Sequence, residues 1–195
     1  DLVVARYNEV EQAINIWRQD LATGEGEFLK PSSRDQSRPS RGADFTTFLE
    51  RDTGDREAVF VHFDDGTVQS CAIEGRDQTG VIAGPEWIAW IEHRAGSRGG
   101  RVIIAPSGNC ADPRTRRERV LMGEIPRGGA LHRAGDELIW LIRPSSGPNQ
   151  LRRWAHTKRY SEPRSHTLDH QRGNPVEIAS HGRWVSLVHY RDISP

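Results

Sequence analysis

Acidic and basic residues recur along this chain at a near-constant interval, each close to a glycine that precedes an apolar run. They are Asp44, Glu86, Asp136, Glu137, His181 and Arg183. A group of carboxylates with a histidine could bind a cation or act as general acid and base, provided that the fold brings the repeats together. The repeat therefore defines the candidate ligand-binding residues of the chain.

The same carboxylates have a second interpretation, because Asp and Glu often accept hydrogen bonds from backbone N–H groups of their own turns. The two interpretations predict different geometries. A catalytic site would place at least two carboxylates within about 10 Å of each other around a pocket, as glycosidases do. Carboxylates that cap turns would instead each point into their own turn.

Tryptophans offer a different chemistry, since an exposed indole ring can stack on a sugar ring. Trp17 and Trp154 each stand beside arginine in a mixed polar stretch, and they are the candidates for exposed contact. Trp87, Trp90 and Trp140 lie in the most apolar segments and are expected to fill space between sheets.

Motifs of the common enzyme classes are absent from the sequence, which has no Gly-x-Ser-x-Gly elbow, phosphate loop, His-Glu-x-x-His or dinucleotide fingerprint. Residues 166–170 contain two histidines and an aspartate, but the pattern supplies no third ligand and no helix to align them. We therefore predict no catalytic set, no metal site and no cofactor. An enzyme stays the alternative, because the acids of glycosidases are recognised by geometry and not by local sequence.

The elements that must position these residues follow from a segment that occurs four times, a glycine turn leading into an apolar strand. The copies are residues 41–50, 83–92, 134–143 and 181–189. Aligning Asp1 with Asp44, Glu86 and Glu137 gives steps of 43, 42 and 51 residues. Further strands joined by hairpin turns follow in each copy. This period matches one four-stranded blade of a β-propeller, roughly 40 to 50 residues.

The sequence thus predicts an all-β fold, a propeller-like array of antiparallel three- to four-stranded blades. A single domain over residues 1–195 is expected. Its approximate divisions are blades at 1–41, 42–83, 84–134 and 135–181 and a final strand within 182–195. That strand either closes a ring with N-terminal material or belongs to a longer propeller. A β-sandwich is the alternative fold, although it does not predict a glycine turn at a near-constant period, and residues 10–21 can also be drawn as a helix.

Each repeat contains a glycine turn, an apolar strand, a second strand, which in the first repeat ends in Asp-Leu-Ala-Thr-Gly-Glu at residues 20–25, and a polar stretch before the next turn. This order of turns and strands resembles the blades of the TolB and WD40-like propeller superfamilies. The resemblance covers most of the chain and implies a β-propeller. No functional residues are carried over from it.

Composition limits the classes of partner. Lys plus Arg and Asp plus Glu both number 27, so the chain has no net positive charge to attract nucleic acid. No nucleic-acid partner is expected. Nearly all the positive charge is arginine, which is typical of a high-GC bacterial coding sequence. No apolar run approaches the roughly 20 residues of a membrane-spanning helix.

The two cysteines bear on where the protein resides. Cys71 and Cys110 lie near the ends of expected strands in consecutive repeats, and they are either a disulfide or two buried thiols. A disulfide would indicate an exported protein. Because the chain begins at Asp1, we also expect a mature or excised piece of a periplasmic, cell-surface or secreted bacterial protein.

Rigid blades that hold variable loops suit recognition. The function predicted from the sequence is therefore a non-catalytic, extracytoplasmic interaction domain that binds a protein or a glycan through its loops. The alternative is a glycoside hydrolase or lyase with carboxylates at the mouth of the propeller channel.

Overall fold

A computed structural model describes part of the chain. The described residues are 1–94, 100–119, 131–135, 137–142, 150–155, 164–167, 177–181 and 184–188. Apart from a 3₁₀ turn at Ser107–Asn109, every element in these ranges is a strand. The all-β prediction is confirmed, and the alternative helix over residues 10–21 is wrong. Ala13, Asn15 and Ile16 are buried there in an extended strand with β-branched residues.

The chain divides into two compact units. The first comprises residues 1–97 and 101–120. Sheet 1 contains β1 (Leu2–Asn8), β2 (Ala13–Gln19) and β3 (Gly26–Phe28). Sheet 2 contains β4 (Gln36–Arg41), β5 (Phe45–Arg51), β6 (Glu57–Phe63) and β7 (Val68–Ser70). Sheet 3 contains β8 (Arg76–Ala83), β9 (Trp87–Arg94), β10 (Gly100–Pro106) and β11 (Arg117–Arg119).

In sheets 2 and 3 the recurring glycine turn lies between the first and second strands of the sheet. Gly42 donates its N–H to the Phe45 carbonyl at 2.8 Å, and Gly84 donates to the Trp87 carbonyl at 2.7 Å. In both turns the aromatic ring folds back over the glycine, so that a Cβ atom there would collide with the ring. Glycine recurs because the ring occupies the space of a side chain. The observed sheets accordingly begin one strand before the expected divisions at residues 41 and 83.

Apolar side chains fill the spaces between successive sheets of this unit. Sheets 2 and 3 share a buried cluster that includes Phe45, Val61, Ile88 and Trp90. A smaller cluster contains Ile16 and Leu29 from sheet 1 and its adjoining segment, and Phe48 from sheet 2. Trp87 and Trp90 of this unit are buried, as is Trp140 in residues 137–142, which agrees with the apolar surroundings of all three in the sequence.

A disulfide links sheets 2 and 3. Cys71 follows β7 and Cys110 lies between β10 and β11, with 5.3 Å between their Cα atoms. The guanidinium of Arg116 donates to the Cys110 carbonyl at 2.7 Å and to the Cys71 carbonyl at 3.0 Å, and it lies over the ring of Trp90. The sequence left either a disulfide or two buried thiols, and the structure has the disulfide.

The second unit comprises residues 98–100 and 121–195. Sheet 4 contains β12 (Leu131–Ala134), β13 (Glu137–Ile142), β14 (Gln150–Ala155) and β15 (Arg164–Thr167). Sheet 5 contains β16 (Glu177–His181) and β17 (Trp184–Val188). Both sheets are antiparallel, and β12 and β13 are separated by a turn in which Gly135 has a φ of 61°. The glycine turn thus also lies within the sheet in this unit.

Candidate functional site

Two of the predicted acidic residues lie on one face of the first unit. The turn at residues 42–44 contacts the turn at residues 84–86 through a hydrogen bond from the Ala43 N–H to the Pro85 carbonyl, 3.3 Å long. Asp44 and Glu86 are the next residues in the chain, and both are exposed. We refer to residues 42–44 and 84–86 as the paired turns.

The backbone of the paired turns is fixed by neighbouring loops. The Asp44 carbonyl accepts the N–H of Asp64 at 2.9 Å, and the Glu86 carbonyl accepts the N–H of Ser107 at 3.1 Å. These hydrogen bonds involve main-chain groups only, and the two carboxylates face solvent. Among the described residues, neither carboxylate accepts a hydrogen bond from its own turn, unlike Asp20, which accepts the N–H groups of Ala22 and Thr23.

An ion-pair network lies beside the paired turns. Asp64 accepts two hydrogen bonds from Arg41, at 2.8 and 2.6 Å, and one from Arg18 at 2.8 Å. Arg18 belongs to sheet 1 and also pairs with Glu27, so the network joins sheets 1 and 2. The hydrogen bonds from Arg41 hold the pKa of Asp64 below its ordinary value, and the same contact raises the pKa of Arg41. Arg18 and Arg41 are therefore already matched by acidic partners.

Trp17 is partly buried, although its position beside arginine predicted exposed contact. Its ring meets the Phe28 ring edge-on, with centroids 4.9 Å apart, and the Arg6 guanidinium lies over it at 4.8 Å. Gly26 lies against the indole, which leaves no space for a Cβ atom. These contacts across sheet 1 use much of the ring surface that a ligand would need.

The remaining predicted residues belong to the second unit. Glu137 is half-buried at the start of β13, Trp154 lies on β14, and His181 is the last residue of β16. Asp136 and Arg183 lie outside the described residues. The first unit therefore supplies the pair that the structure brings together, Asp44 and Glu86.

The chemistry open to this face follows from its exposure. Two solvent-facing carboxylates on a fixed backbone can accept hydrogen bonds from a cationic or hydroxylated partner. A general acid of a glycosidase, in contrast, is kept protonated by an apolar environment, which exposed side chains lack. In the part of the chain that the structure describes, no group of three or more His, Cys, Asp or Glu side chains could hold a metal ion.

One repeated pair of glutamines, which form contacts between sheets, was not predicted from the sequence. Gln36 and Gln78 each stand near the start of the first strand of a sheet, 42 residues apart, and each follows an Arg-Asp dipeptide. The Gln36 side chain accepts the Ile16 N–H at 3.0 Å and donates to the Lys30 carbonyl at 2.8 Å. Gln78 repeats this arrangement with the preceding sheet. The recurrence of Arg-Asp-Gln at the repeat interval was the available indication of this contact between sheets.

Comparison with known proteins finds similarity at the level of structure and not of sequence. No family model matches the chain, and no curated protein matches its sequence. Several solved structures are similar to it, among them the following three. TolB from Acinetobacter baumannii is 14% identical over 98% of this chain, with a TM-score of 0.67. An oligogalacturonate lyase in complex with manganese is 15% identical over 79%, with a TM-score of 0.56, and oligopeptidase B from Leishmania major is 12% identical over 90%, with a TM-score of 0.58.

These similarities establish the fold class. The chain has an all-β, propeller-like architecture of antiparallel sheets. It spans 47%, 41% and 26% of the lengths of the three similar chains, so it corresponds to less than half of each. Within the described residues, no helix is long and apolar enough to cross a membrane.

Proposed function

We propose that this chain is a non-catalytic interaction domain that binds a protein or a glycan partner through the paired turns. The observation that carries the proposal is the combination of a fixed backbone with two exposed carboxylates that form no hydrogen bond or close ion pair among the described residues. Asp44 and Glu86 sit on adjacent, hydrogen-bonded turns, and their own main-chain carbonyls are anchored by neighbouring loops. A partner that binds such a surface meets groups that are already in place, which reduces the entropic cost of association.

The charge of the surface defines the chemistry of the partner. Arg18 and Arg41 form their close ion pairs with Asp64 and Glu27, whereas Asp44 and Glu86 are exposed to a partner. The complementary group is a cation, such as a lysine or arginine side chain of a protein or the amine of an amino sugar.

A double substitution tests this proposal. Asp44→Asn with Glu86→Gln removes both charges and keeps the shape of the side chains. Binding to lysine-rich peptides and to immobilised amino-sugar oligosaccharides is measured by surface plasmon resonance. We expect the double variant to bind about tenfold more weakly, since each exposed ion pair contributes up to about 1 kcal/mol.

The matched control removes an acid from a different turn. Asp55 is exposed in the turn after β5, and asparagine tolerates its positive φ of 61°. Asp55→Asn should bind as the wild type does. Equal binding by the double variant and the wild type would refute the proposal.

A polysaccharide lyase or glycoside hydrolase is the second candidate, favoured by the adjacent positions of Asp44 and Glu86 and by the similarity to the oligogalacturonate lyase. Incubation with oligogalacturonate, with and without Mn²⁺, distinguishes it from the binding proposal. A lyase releases unsaturated products that absorb in the ultraviolet, and these products should depend on the two carboxylates. A binding domain releases none.

We also propose that the domain is exported, as in a periplasmic, cell-surface or secreted bacterial protein. The Cys71–Cys110 disulfide supports this location, because such bonds persist in oxidising compartments. Thiol titration of the denatured, unreduced protein purified from its natural host should find no free thiol. Two free thiols would remove the support.

A further inference from the structure

Arg38 occupies a strained position in the first strand of sheet 2. Its φ is 52°, in the left-handed region that residues with a side chain rarely adopt. The strand β4 bulges here, because its register with β5 shifts between Ser37 and Ser40. Bulges of this kind redirect a side chain out of the regular alternation of a strand.

The next sheet has the same bulge with a glycine. In β8 the register with β9 shifts between Thr79 and Ile82, and Gly80 has a φ of 61°. Gly80 is 42 residues after Arg38, which is the repeat interval. The bulge therefore requires the left-handed conformation, which glycine adopts without strain, so an arginine at this position indicates a use for its side chain.

Contacts within the described residues do not explain it. Arg38 is exposed and forms no hydrogen bond or ion pair there. Arg41, three residues later in the same strand, is held by Asp64 through two hydrogen bonds. The Arg38 guanidinium is therefore available to a molecule outside this part of the chain, and its planar donors match a carboxylate.

The surroundings of Arg38 indicate what kind of molecule that is. β4 runs beside β8, and the Ser40 hydroxyl accepts the Ala83 N–H at 2.9 Å. Neither strand contains an aromatic residue, so this edge offers no flat surface for a sugar ring. Pro39 has no N–H and prevents regular pairing with an added strand. Recognition here depends on side chains.

We propose that Arg38 binds a carboxylate of a partner polypeptide, at a site separate from the paired turns. The exposed guanidinium can pair with an acidic side chain or a C-terminal carboxylate. This contact goes beyond the proposed function, which rests on Asp44 and Glu86.

Two substitutions separate binding from strain. Arg38→Gly removes the guanidinium and relieves the backbone, as at Gly80, whereas Arg38→Ala removes the guanidinium and keeps the strain. Affinity for a fluorescein-labelled octaglutamate peptide is measured by fluorescence anisotropy at low salt, and thermal unfolding is followed on the same samples. We expect both variants to bind about tenfold more weakly, and Arg38→Gly to unfold at the wild-type temperature or above it.

Arg34→Ala is the matched control, because Arg34 is an exposed arginine four residues away that lies outside the bulge. It should retain the wild-type affinity to within about twofold. Trigalacturonate, a carboxylated sugar, is tested as a competitor of the labelled peptide with wild type and with the Arg38 variants. The proposal is overturned if wild-type protein does not bind octaglutamate or if the Arg38 variants bind it as tightly as wild type. It is also overturned if Arg38 is needed to bind trigalacturonate and not the peptide. The Asp44 and Glu86 double variant should bind octaglutamate at least as tightly as wild type, because it loses two negative charges that repel the peptide, so the two proposals can fail independently.

Discussion

At the scale of single residues, Asp64 is the charged group on which most contacts near the candidate site converge. It joins sheets 1 and 2 through Arg18 and Arg41, and its backbone N–H supports the turn that carries Asp44. An acid that accepts two hydrogen bonds from one guanidinium is well ordered, which distinguishes this contact from an ordinary surface ion pair.

The lowered pKa of Asp64 predicts how its contribution to stability depends on pH. A carboxyl group whose pKa is lower in the folded state stabilises the fold above its unfolded pKa, and this stabilisation is lost as the pH falls through the folded pKa. Hydrogen bonds from Arg41 are the main cause of the shift. Asp64→Asn should therefore lower the free energy of unfolding by about 1 kcal/mol at pH 7, a value kept small because the side chain is partly exposed.

Urea denaturation of wild type and variant across the acid range measures this effect. The difference between the two proteins should shrink as the pH falls below the ordinary pKa of an aspartate. A difference that stays constant from pH 7 into the acid range would show that packing, and not charge, is responsible. Asp55→Asn removes an acid from an exposed pair with Arg51 and should change stability little at any pH.

At the scale of elements, the strands with apolar alternation were predictable, but the place where each sheet begins was not. The second and third strands of sheet 2 contain buried Phe48, Leu49, Val59 and Val61, so hydrophobic pattern reveals them. β4 has the sequence Gln-Ser-Arg-Pro-Ser-Arg and carries no such pattern. It is fixed by polar bonds of Gln36 and Ser40 to neighbouring strands, and an analysis of hydrophobicity cannot detect these.

Gln78 tests the importance of these polar bonds. Its buried side chain accepts the Val59 N–H at 2.8 Å and donates to the Cys71 carbonyl at 3.0 Å. Gln78→Leu keeps the approximate size of the side chain and leaves the Val59 N–H without its partner. We expect a loss of about 2 to 3 kcal/mol in the free energy of unfolding, because a buried donor without an acceptor is costly.

The comparison for Gln78 is Gln19, which makes a single side-chain bond to the Gly24 carbonyl in an exposed hairpin. Gln19→Leu should cost less than about 0.5 kcal/mol. Both values come from urea denaturation followed by tryptophan fluorescence. If the two substitutions cost the same, Gln78 does not hold sheets 2 and 3 together.

At the scale of the whole molecule, the repeat interval alone predicted the fold class and part of the candidate site. The proximity of the Asp44 and Glu86 turns follows from the period, because equivalent turns of neighbouring sheets lie at the same end. The solvent-facing direction of the two carboxylates did not follow. It depends on the neighbouring loops that supply the N–H groups of Asp64 and Ser107, and the period carries no information about those bonds.

The disulfide ties the stability of the first unit to the redox state of its surroundings. Cys71 and Cys110 are 39 residues apart, and both are buried. Replacing both with alanine removes a cross-link that restricts the unfolded chain, which for a loop of this length is worth about 4 kcal/mol. We expect the midpoint of urea denaturation to fall accordingly, and dithiothreitol to lower the wild-type midpoint without affecting the double variant.

Arg116 provides an internal comparison for the disulfide prediction. Its side chain binds the carbonyl groups of both cysteines, so the loop between β10 and β11 is held by polar bonds as well as by the cross-link. Arg116→Met removes those bonds and keeps the disulfide, and it should cost less than the double alanine substitution because the unfolded chain stays restricted. If Arg116→Met costs as much as loss of the disulfide, then contacts in the folded state, and not restriction of the unfolded chain, account for the link between sheets 2 and 3.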